Sequence, residues 1–486
     1  MDKQTSVIEE PTVGDLPEIS DIPELAKLAD VVVPEPIKEE VPHSELEHRD
    51  FDDREVWRRI PAFKDVDYEQ FIDFKFQLIN SVTSPEKLTE IVGELASQEF
   101  VNDMEAGLRA APMNVRVSPY LISRIDWDNP YDDPIRIQFL PVASRRKPDH
   151  PQLTLDSLHE QDDSPTPGLV HRYPDKVLFL PLDVCPVYCR FCTRSYAIGG
   201  DTNQVEKVGY KYSPERWKKA FAYIASRPEI EDVVVSGGDA WNLAPMHLKE
   251  ILSTLLAIPH IRRIRLATKG PAVMPMKIQT DRKWFRTLLK WVDHGRKLGK
   301  EVCLHTHFNS PNEISLITYD AMQELFRHGI KVRNQSVLIR GVNDTPEKMQ
   351  LLVKRLSYMN VQPYYVYQHD MVKGVEELRT RVGKTVELER HVRGATAGFN
   401  TPIFVNDVPG GGGKRDVHSY DYYNETTGVS VYRSPNVDEE KAYLYYDPID
   451  QLPEEGQQRW GDESEHQAII DEALKGAGLS DLEPAR

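Results

Sequence analysis

Val177-Leu178-Phe179-Leu180-Pro181-Leu182, followed two residues later by Cys185-Pro186-Val187-Tyr188-Cys189-Arg190-Phe191-Cys192, is a short apolar run that ends at three closely spaced thiols. Such a run reads as a buried strand. Six more strand candidates follow it: 232–236, 262–267, 301–306, 332–338, 362–367 and 402–406. Helical patterns fill the gaps. Leu248, Ile251, Leu252, Leu255 and Leu256 form one apolar stripe at helical spacing. Thr345-Pro346 pairs an N-cap residue with proline at the first helical position. Strands alternating with helices imply parallel β/α units, hence an α/β protein that is either a full or partial (β/α) barrel or an open doubly wound sheet. The reactive residues sit at or just beyond strand ends. The cysteines follow the first candidate, Ser236-Gly237-Gly238-Asp239 the second, and His305-Thr306-His307-Phe308-Asn309 ends and follows the fourth. Tyr367-Gln368-His369-Asp370 stands at the sixth and Asn406-Asp407 at the last. Parallel β/α folds carry their chemistry at that carboxyl edge, so one shared site is expected.

Outward from this core, residues 1–50 are acidic and broken by Pro11, Pro17, Pro23, Pro34, Pro36 and Pro42. They read as a disordered tail or as a docking arm that orders on binding. Residues 51–170 read as a mainly helical region, 171–400 as the β/α core, and 401–486 as a C-terminal segment and tail with apolar islands such as 442–446. The 486 residues are 40% hydrophobic and 28% charged, the composition of a globular protein. A net charge of −17 argues against nucleic-acid and anionic-membrane partners. No apolar run approaches the roughly 20 residues that span a bilayer. Met1-Asp2-Lys3-Gln4 does not begin a secretory signal, so a cytoplasmic protein is expected. Four cysteines in so long a chain are not a disulfide framework, and three within eight residues look like metal ligands.

Cys185-x₃-Cys189-x₂-Cys192 supplies three thiolates from one loop. A [4Fe–4S] cluster held this way keeps one iron open to a small molecule. Zinc is the competing reading, but it normally takes a fourth Cys or His and ligands in spaced pairs. Ser236-Gly237-Gly238-Asp239 permits close backbone approach, because glycine has no side chain to clash. Pro409-Gly410-Gly411-Gly412-Gly413-Lys414 is not a phosphate loop, since Arg415 stands where a Ser or Thr is required. Its lysine could form a Schiff base with a carbonyl cofactor; a solvated glycine-rich turn is the alternative.

Further motifs are Asp163-Ser164-Pro165-Thr166-Pro167-Gly168, His171-Arg172-Tyr173-Pro174-Asp175, Asn334-Gln335-Ser336-Val337-Leu338 and Arg340-Gly341-Val342-Asn343-Asp344. From about Ser118 to Val417 the chain resembles the lysine 2,3-aminomutases, radical S-adenosylmethionine (SAM) enzymes that also use pyridoxal 5′-phosphate (PLP). The resemblance implies a partial (β/α) barrel with N- and C-terminal extensions and a [4Fe–4S] cluster on Cys185, Cys189 and Cys192. It makes Lys414 the Schiff-base lysine, with Arg172, Tyr173 and Gln335 helping to hold PLP. Ser236, Gly237, Gly238, Asp239, His307 and Asn309 would line the SAM pocket. Arg194 would clamp a substrate carboxylate, and Asp370 and Asp407 would receive a side-chain ammonium. The implied reaction is migration of an amino group between C2 and C3 of a small amino acid, with an electron donor for the cluster and a homo-oligomeric assembly.

Departures accompany the match. Lys176 replaces an arginine of the family pattern, Thr268-Lys269-Gly270-Pro271 replaces Ser-Arg-Thr-Pro, and His369 stands in place of cysteine. Glu377-Leu378 replaces His-Phe, the segment from Asp281 to Lys300 is longer, and Thr345 occupies a structural-zinc position, so zinc is not expected. L-Lysine is the favoured substrate. Arginine, another cationic amino acid or a carrier-bound lysine are alternatives, and a structural or redox-sensing iron–sulfur protein is the non-enzymatic one.

Overall fold

The computed structural model describes residues 23, 25–28, 31, 32, 34, 35 and 43–485. Most of the 1–50 stretch, and with it the expected disordered tail, lies outside the described residues. Its final part, His43–Arg49, is a 3-10 helix, and the Asp50 carbonyl just after it accepts a hydrogen bond from Arg355 at 3.1 Å.

Nine strands form one sheet in the order in which they occur along the chain. They are β1 (Leu169–Tyr173), β2 (Lys176–Phe179), β3 (Asp232–Val235), β4 (Arg263–Ala267), β5 (Glu301–Thr306), β6 (Val332–Val337), β7 (Gln362–Tyr367), β8 (Ile403–Val408) and β9 (Gly413–Asp416). Strands β2 to β8 pair in parallel, while β1 and β9 join antiparallel at the two ends. A doubly wound sheet reverses its strand order at a switch point. This sheet never does, and it is a partial barrel. Its ends meet through side chains rather than a backbone ladder: the Tyr173 hydroxyl of β1 accepts from the Lys414 amide of β9 at 2.8 Å.

Local sequence explains the connecting helices. Ser213, Asp281, Ser315 and Thr345 each accept an amide hydrogen bond at a helix start, satisfying donors that have no intrahelical partner. In the helix Pro245–Ala257 all five residues of the predicted stripe are buried. Truncating one of them to alanine should cost about 2–5 kcal/mol. The N-terminal region folds as short helices, of which Gln98–Arg109 is the longest.

A second sheet follows the barrel: β10 (Tyr422–Asn424), β11 (Val429–Ser434), β12 (Asp438–Tyr446) and β13 (Glu483–Pro484). The apolar island 442–446 is the buried half of β12. Two helices, Glu454–Gly461 and His466–Gly476, follow it. Among the described residues no helix is long and apolar enough to cross a membrane.

Candidate functional site

A cavity of about 470 Å³ runs along the inside of the barrel, from the first residues of β2, β3 and β4 (Lys176, Asp232 and Arg263) to the carboxyl edge. Arg172, Tyr173, Arg194, Ser236, His307 and Gln335 line it, together with Asp370, Asp407 and Lys414. Nine of the residues singled out in the sequence therefore share one space. Gly237, Gly238, Asp239, Asn309 and the three cysteines stand outside its lining.

The lysine is positioned by a hairpin. Pro409 to Gly412 turn β8 into β9, and the register sets Asp407 directly opposite Lys414. The glycine run is thus a tight turn with a structural requirement. Gly413 has φ +73°, and a Cβ there would meet the Tyr173 hydroxyl at 2.4 Å. Lys414 Nζ donates to Asp407 Oδ2 at 2.7 Å and lies 5.6 Å from the Tyr367 ring centroid. Burial works against a charge on Nζ, but Asp407 outweighs it and lifts the pKa well above a normal lysine. Burial likewise would raise Asp407, yet Lys414 and Arg172 hold it below the usual carboxylate range. The Arg172 guanidinium is fixed by Asp163 at 2.7 Å and by the Leu158 carbonyl, and its NH1 faces Asp407 at 3.9 Å. Tyr367 donates to Gln335 Oε1 at 3.0 Å. Lys176 lies 4.3 Å from the Tyr173 ring centroid.

Asp370 differs sharply from Asp407. It accepts from the Thr193 hydroxyl, but burial, with Asp407 adding repulsion, pushes its pKa up to about 7. Arg194 donates to Glu160 Oε1 at 2.6 Å. Nε of Arg194, Oδ1 of Asp407 and Nε2 of both His305 and His307 are buried without a hydrogen-bond partner among the described residues. Burial, with Lys269 next, lowers His307 to about 3, so its ring is neutral at physiological pH.

The cysteine loop leaves β2 and returns to the cavity wall at Thr193 and Arg194. The Phe191 ring centroid lies 5.4 Å from that of His307, joining loop to cavity. Burial pushes all three thiols up, and the others' charges add to this at Cys185. The charges of Cys189 and Cys192 both bear on Cys185, so the three sulfurs stand near one another on one loop, a donor set that fits a cluster held by three thiolates. Among the described residues no group of three His, Cys, Asp or Glu is arranged to hold a single metal ion. Glu377, one of the family departures, pairs with Arg190 inside the loop.

The Gly237-Gly238 turn is explained by the chain itself. Gly237 has φ +88°, and a Cβ would meet the Leu182 carbonyl oxygen at 2.4 Å; one on Gly238 would meet the Val184 amide nitrogen at 2.4 Å. Gly238 N donates to Leu182 O at 2.6 Å and Asp239 N to Val184 O at 3.1 Å, pinning the approach to Cys185. Asp239 accepts from the amides of Trp241 and Lys269, each at 2.8 Å. Asn309 donates to Gln138 at 3.0 Å and accepts from the Val337 amide at 2.9 Å. Both side chains hold loops in place.

Three residues escaped the sequence. Glu160 lines the cavity and is 4% exposed. From β12, Tyr443 covers Gly412, where a Cβ would meet its ring at 2.6 Å, and the Tyr445 hydroxyl donates to the His369 carbonyl at 2.8 Å. A lone glutamate and tyrosines of a distant sheet carry no local signature; only the tertiary fold brings them here.

Comparison with known proteins follows the same lines. Residues 179–353 match the Radical SAM superfamily. The L-lysine 2,3-aminomutase of Clostridium subterminale is 38% identical over 362 residues, 74% of this chain and 81% of that protein. The chain belongs to the lysine 2,3-aminomutase family. The Bacillus subtilis L-lysine 2,3-aminomutase is 36% identical, covering 74% of this chain and 71% of its own length. A glutamate 2,3-aminomutase of Clostridioides difficile is 33% identical, covering 71% and 76%. As a member of this family the chain is an isomerase whose cofactors are a [4Fe–4S] cluster, SAM and PLP. The cavity suits the last of these: a lysine at its rim, aromatic walls, and buried polar atoms still lacking partners.

Proposed function

We propose that this protein interconverts L-lysine and β-lysine by moving the amino group between C2 and C3. The observation that carries the reading is the bipolar cavity: Asp370 and Asp407 face the same space as Arg194. A lysine zwitterion with a charged side chain presents a carboxylate at one end and an ammonium at the other. Each carboxylate attracts an ammonium by about 4 kcal/mol at 4 Å if the effective dielectric is about 20, before desolvation is subtracted. The γ-carboxylate of glutamate would be repelled at the same place.

The bound cofactors supply radical generation and delocalisation, which no side chain can. The chain's own part is holding and orienting. Cys185, Cys189 and Cys192 bind the cluster. Ser236, Gly237, Gly238, Asp239, His307 and Asn309 shape the SAM side of the wall. Tyr173, Gln335 and Arg172 would hold PLP, and Lys414 would be its Schiff-base lysine, which requires Nζ to lose a proton. Asp407 holds that proton on Nζ, and beside a neutral Lys414 it would take the substrate's ε-ammonium as its cation. Arg194 would pair with the α-carboxylate through its guanidinium, a group suited to carboxylate recognition. The reading also includes a reducing partner for the cluster, association of like chains, and a cytoplasmic setting where thiols stay reduced.

The test incubates anaerobically reconstituted, reduced protein with SAM, PLP and, separately, L-lysine, L-arginine and L-glutamate, resolving α and β isomers by chromatography and mass spectrometry. β-Lysine is expected from lysine alone, and Lys414→Ala should abolish it. SAM cleavage with no isomerised lysine would refute the proposal.

A further inference from the structure

Resting on the function proposed above, we infer that Glu160 is a positioning residue that holds Arg194 as the carboxylate clamp and keeps it away from the ammonium subsite. Glu160 is buried, lines the cavity and is not among the residues assigned so far to substrate or cofactor. Its Oε1 accepts from Arg194 NH2 at 2.6 Å and its Oε2 from the Tyr196 hydroxyl at 3.1 Å. The backbone around it is anchored too. Its amide donates to Asp156 Oδ1 at 3.0 Å, and its carbonyl accepts from Ser164 Oγ at 2.7 Å. Both carboxylate oxygens are thus engaged on a fixed segment, and the guanidinium is tethered through one terminal nitrogen while Nε stays buried and unpartnered.

The tether matters because of what stands nearby. Thr193, the neighbour of Arg194, donates to Asp370, and Arg194 is close enough to Asp407 to favour its charged form. An arginine side chain carries a long flexible stem. Released from Glu160, its guanidinium would settle between the two aspartates, neutralise them and leave the substrate's two charged ends without partners. Glu160 separates the poles: one carboxylate satisfies Arg194 from behind, so the remaining aspartates stay open to an ammonium. Its role is indirect, through Arg194, and predicts a larger defect for a ligand that carries an α-carboxylate than for one that lacks it.

The probes are L-lysine and L-lysinamide, which share both amines and differ in that carboxylate. Their dissociation constants are measured on protein loaded with cluster, SAM and PLP, for wild type, Glu160→Gln, Arg194→Gln and the double variant. Iron content and pyridoxal absorbance at wild-type levels verify folding. Glu160→Gln should weaken lysine binding roughly 10- to 100-fold, the range of a lost charge-assisted hydrogen bond, and weaken lysinamide markedly less, through the ammonium subsite alone. The double variant should be no weaker for lysine than Arg194→Gln alone, because the two residues act as one unit. Should Glu160→Gln not accumulate in folded form, Tyr196→Phe gives the same selectivity with a smaller loss. Equal weakening of both ligands, an unchanged lysine affinity, or additive effects in the double variant would overturn the inference while leaving the proposed function standing. Wild-type protein that binds neither amine fails the function itself, and the inference with it.

Discussion

Removing the charge of Asp370 should erase a pH dependence of lysine binding that wild-type protein shows between pH 6 and 8. Burial and the nearby Asp407 push the Asp370 pKa up to about 7. The carboxyl is therefore about half ionised at pH 7 and about one-tenth ionised at pH 6. An ammonium favours the ionised form, so binding must strip the proton wherever it is still present. Affinity should fall as pH drops: roughly tenfold from pH 8 to pH 6, flattening above pH 8 where ionisation is complete. At pH 7 about half a proton should be released per lysine bound, readable by titration calorimetry in buffers of different ionisation enthalpy. Asp370→Asn should bind lysine more weakly at pH 8 and show neither the slope nor the proton release. The same shift bears on stability. A carboxyl whose pKa is raised on folding favours the folded state below its unfolded value and loses that contribution as pH rises through 7. Cofactor-free wild type should therefore lose stability relative to Asp370→Asn as pH rises from 6 to 8. A pH-independent lysine affinity in wild type, or a slope retained in Asp370→Asn, would refute the assignment of the ammonium subsite.

Two substitutions away from the cavity test how it is built. Gly237→Ala should cost at least the 1–3 kcal/mol of a forbidden backbone conformation and lower iron incorporation, because its Cβ collides with the Leu182 carbonyl ahead of Cys185. Gly299→Ala is the control, with φ +67° but nothing within 4 Å, and it should retain iron as wild type does. Tyr445→Phe removes the donor to the His369 carbonyl and the acceptor of Gln368 Nε2. It should cost about 1–3 kcal/mol in thermal or denaturant unfolding and raise the KM for lysine, with SAM affinity unchanged. Equal loss of SAM and lysine binding would mean that β12 supports the whole molecule rather than the Asp370 loop.

The parallel core was legible because its strands are either near-continuous apolar runs or, as in β4 and β6, buried residues alternating with more polar, partly exposed ones. Each of the seven runs read from the sequence matches one of β2 to β8. The end strands were not. β1 contains His171, Arg172 and Tyr173, and β9 contains Lys414, Arg415 and Asp416. Polar residues committed to a site or to solvent erase the hydrophobic pattern that marks a strand. The hairpin did carry a usable signal, a proline and four glycines between two extendable segments, and it would have placed Asp407 opposite Lys414. The C-terminal sheet was missed because the island 442–446 is buried throughout, which abolishes the two-residue alternation of a half-exposed strand. Within the site, the cysteines stood out by type and spacing, whereas Lys414 could equally have been part of a solvated turn. The two aspartates were marked by their strand-end positions and given a role only by the family resemblance. The distinction between a paired Asp407 and a half-protonated Asp370 was not legible, since it arises from which cations the fold brings near each.

Spectroscopy of the reconstituted cluster tests the account most directly, because all of the chemistry depends on an iron that no protein ligand occupies. Reduced protein should give the paramagnetic signal of a [4Fe–4S] centre that shifts on addition of SAM. Replacing Cys185, Cys189 or Cys192 by alanine should remove it, whereas alanine at the buried Cys303 should leave it intact. A spectrum indifferent to SAM, or a centre that needs Cys303 as a fourth ligand, would contradict it.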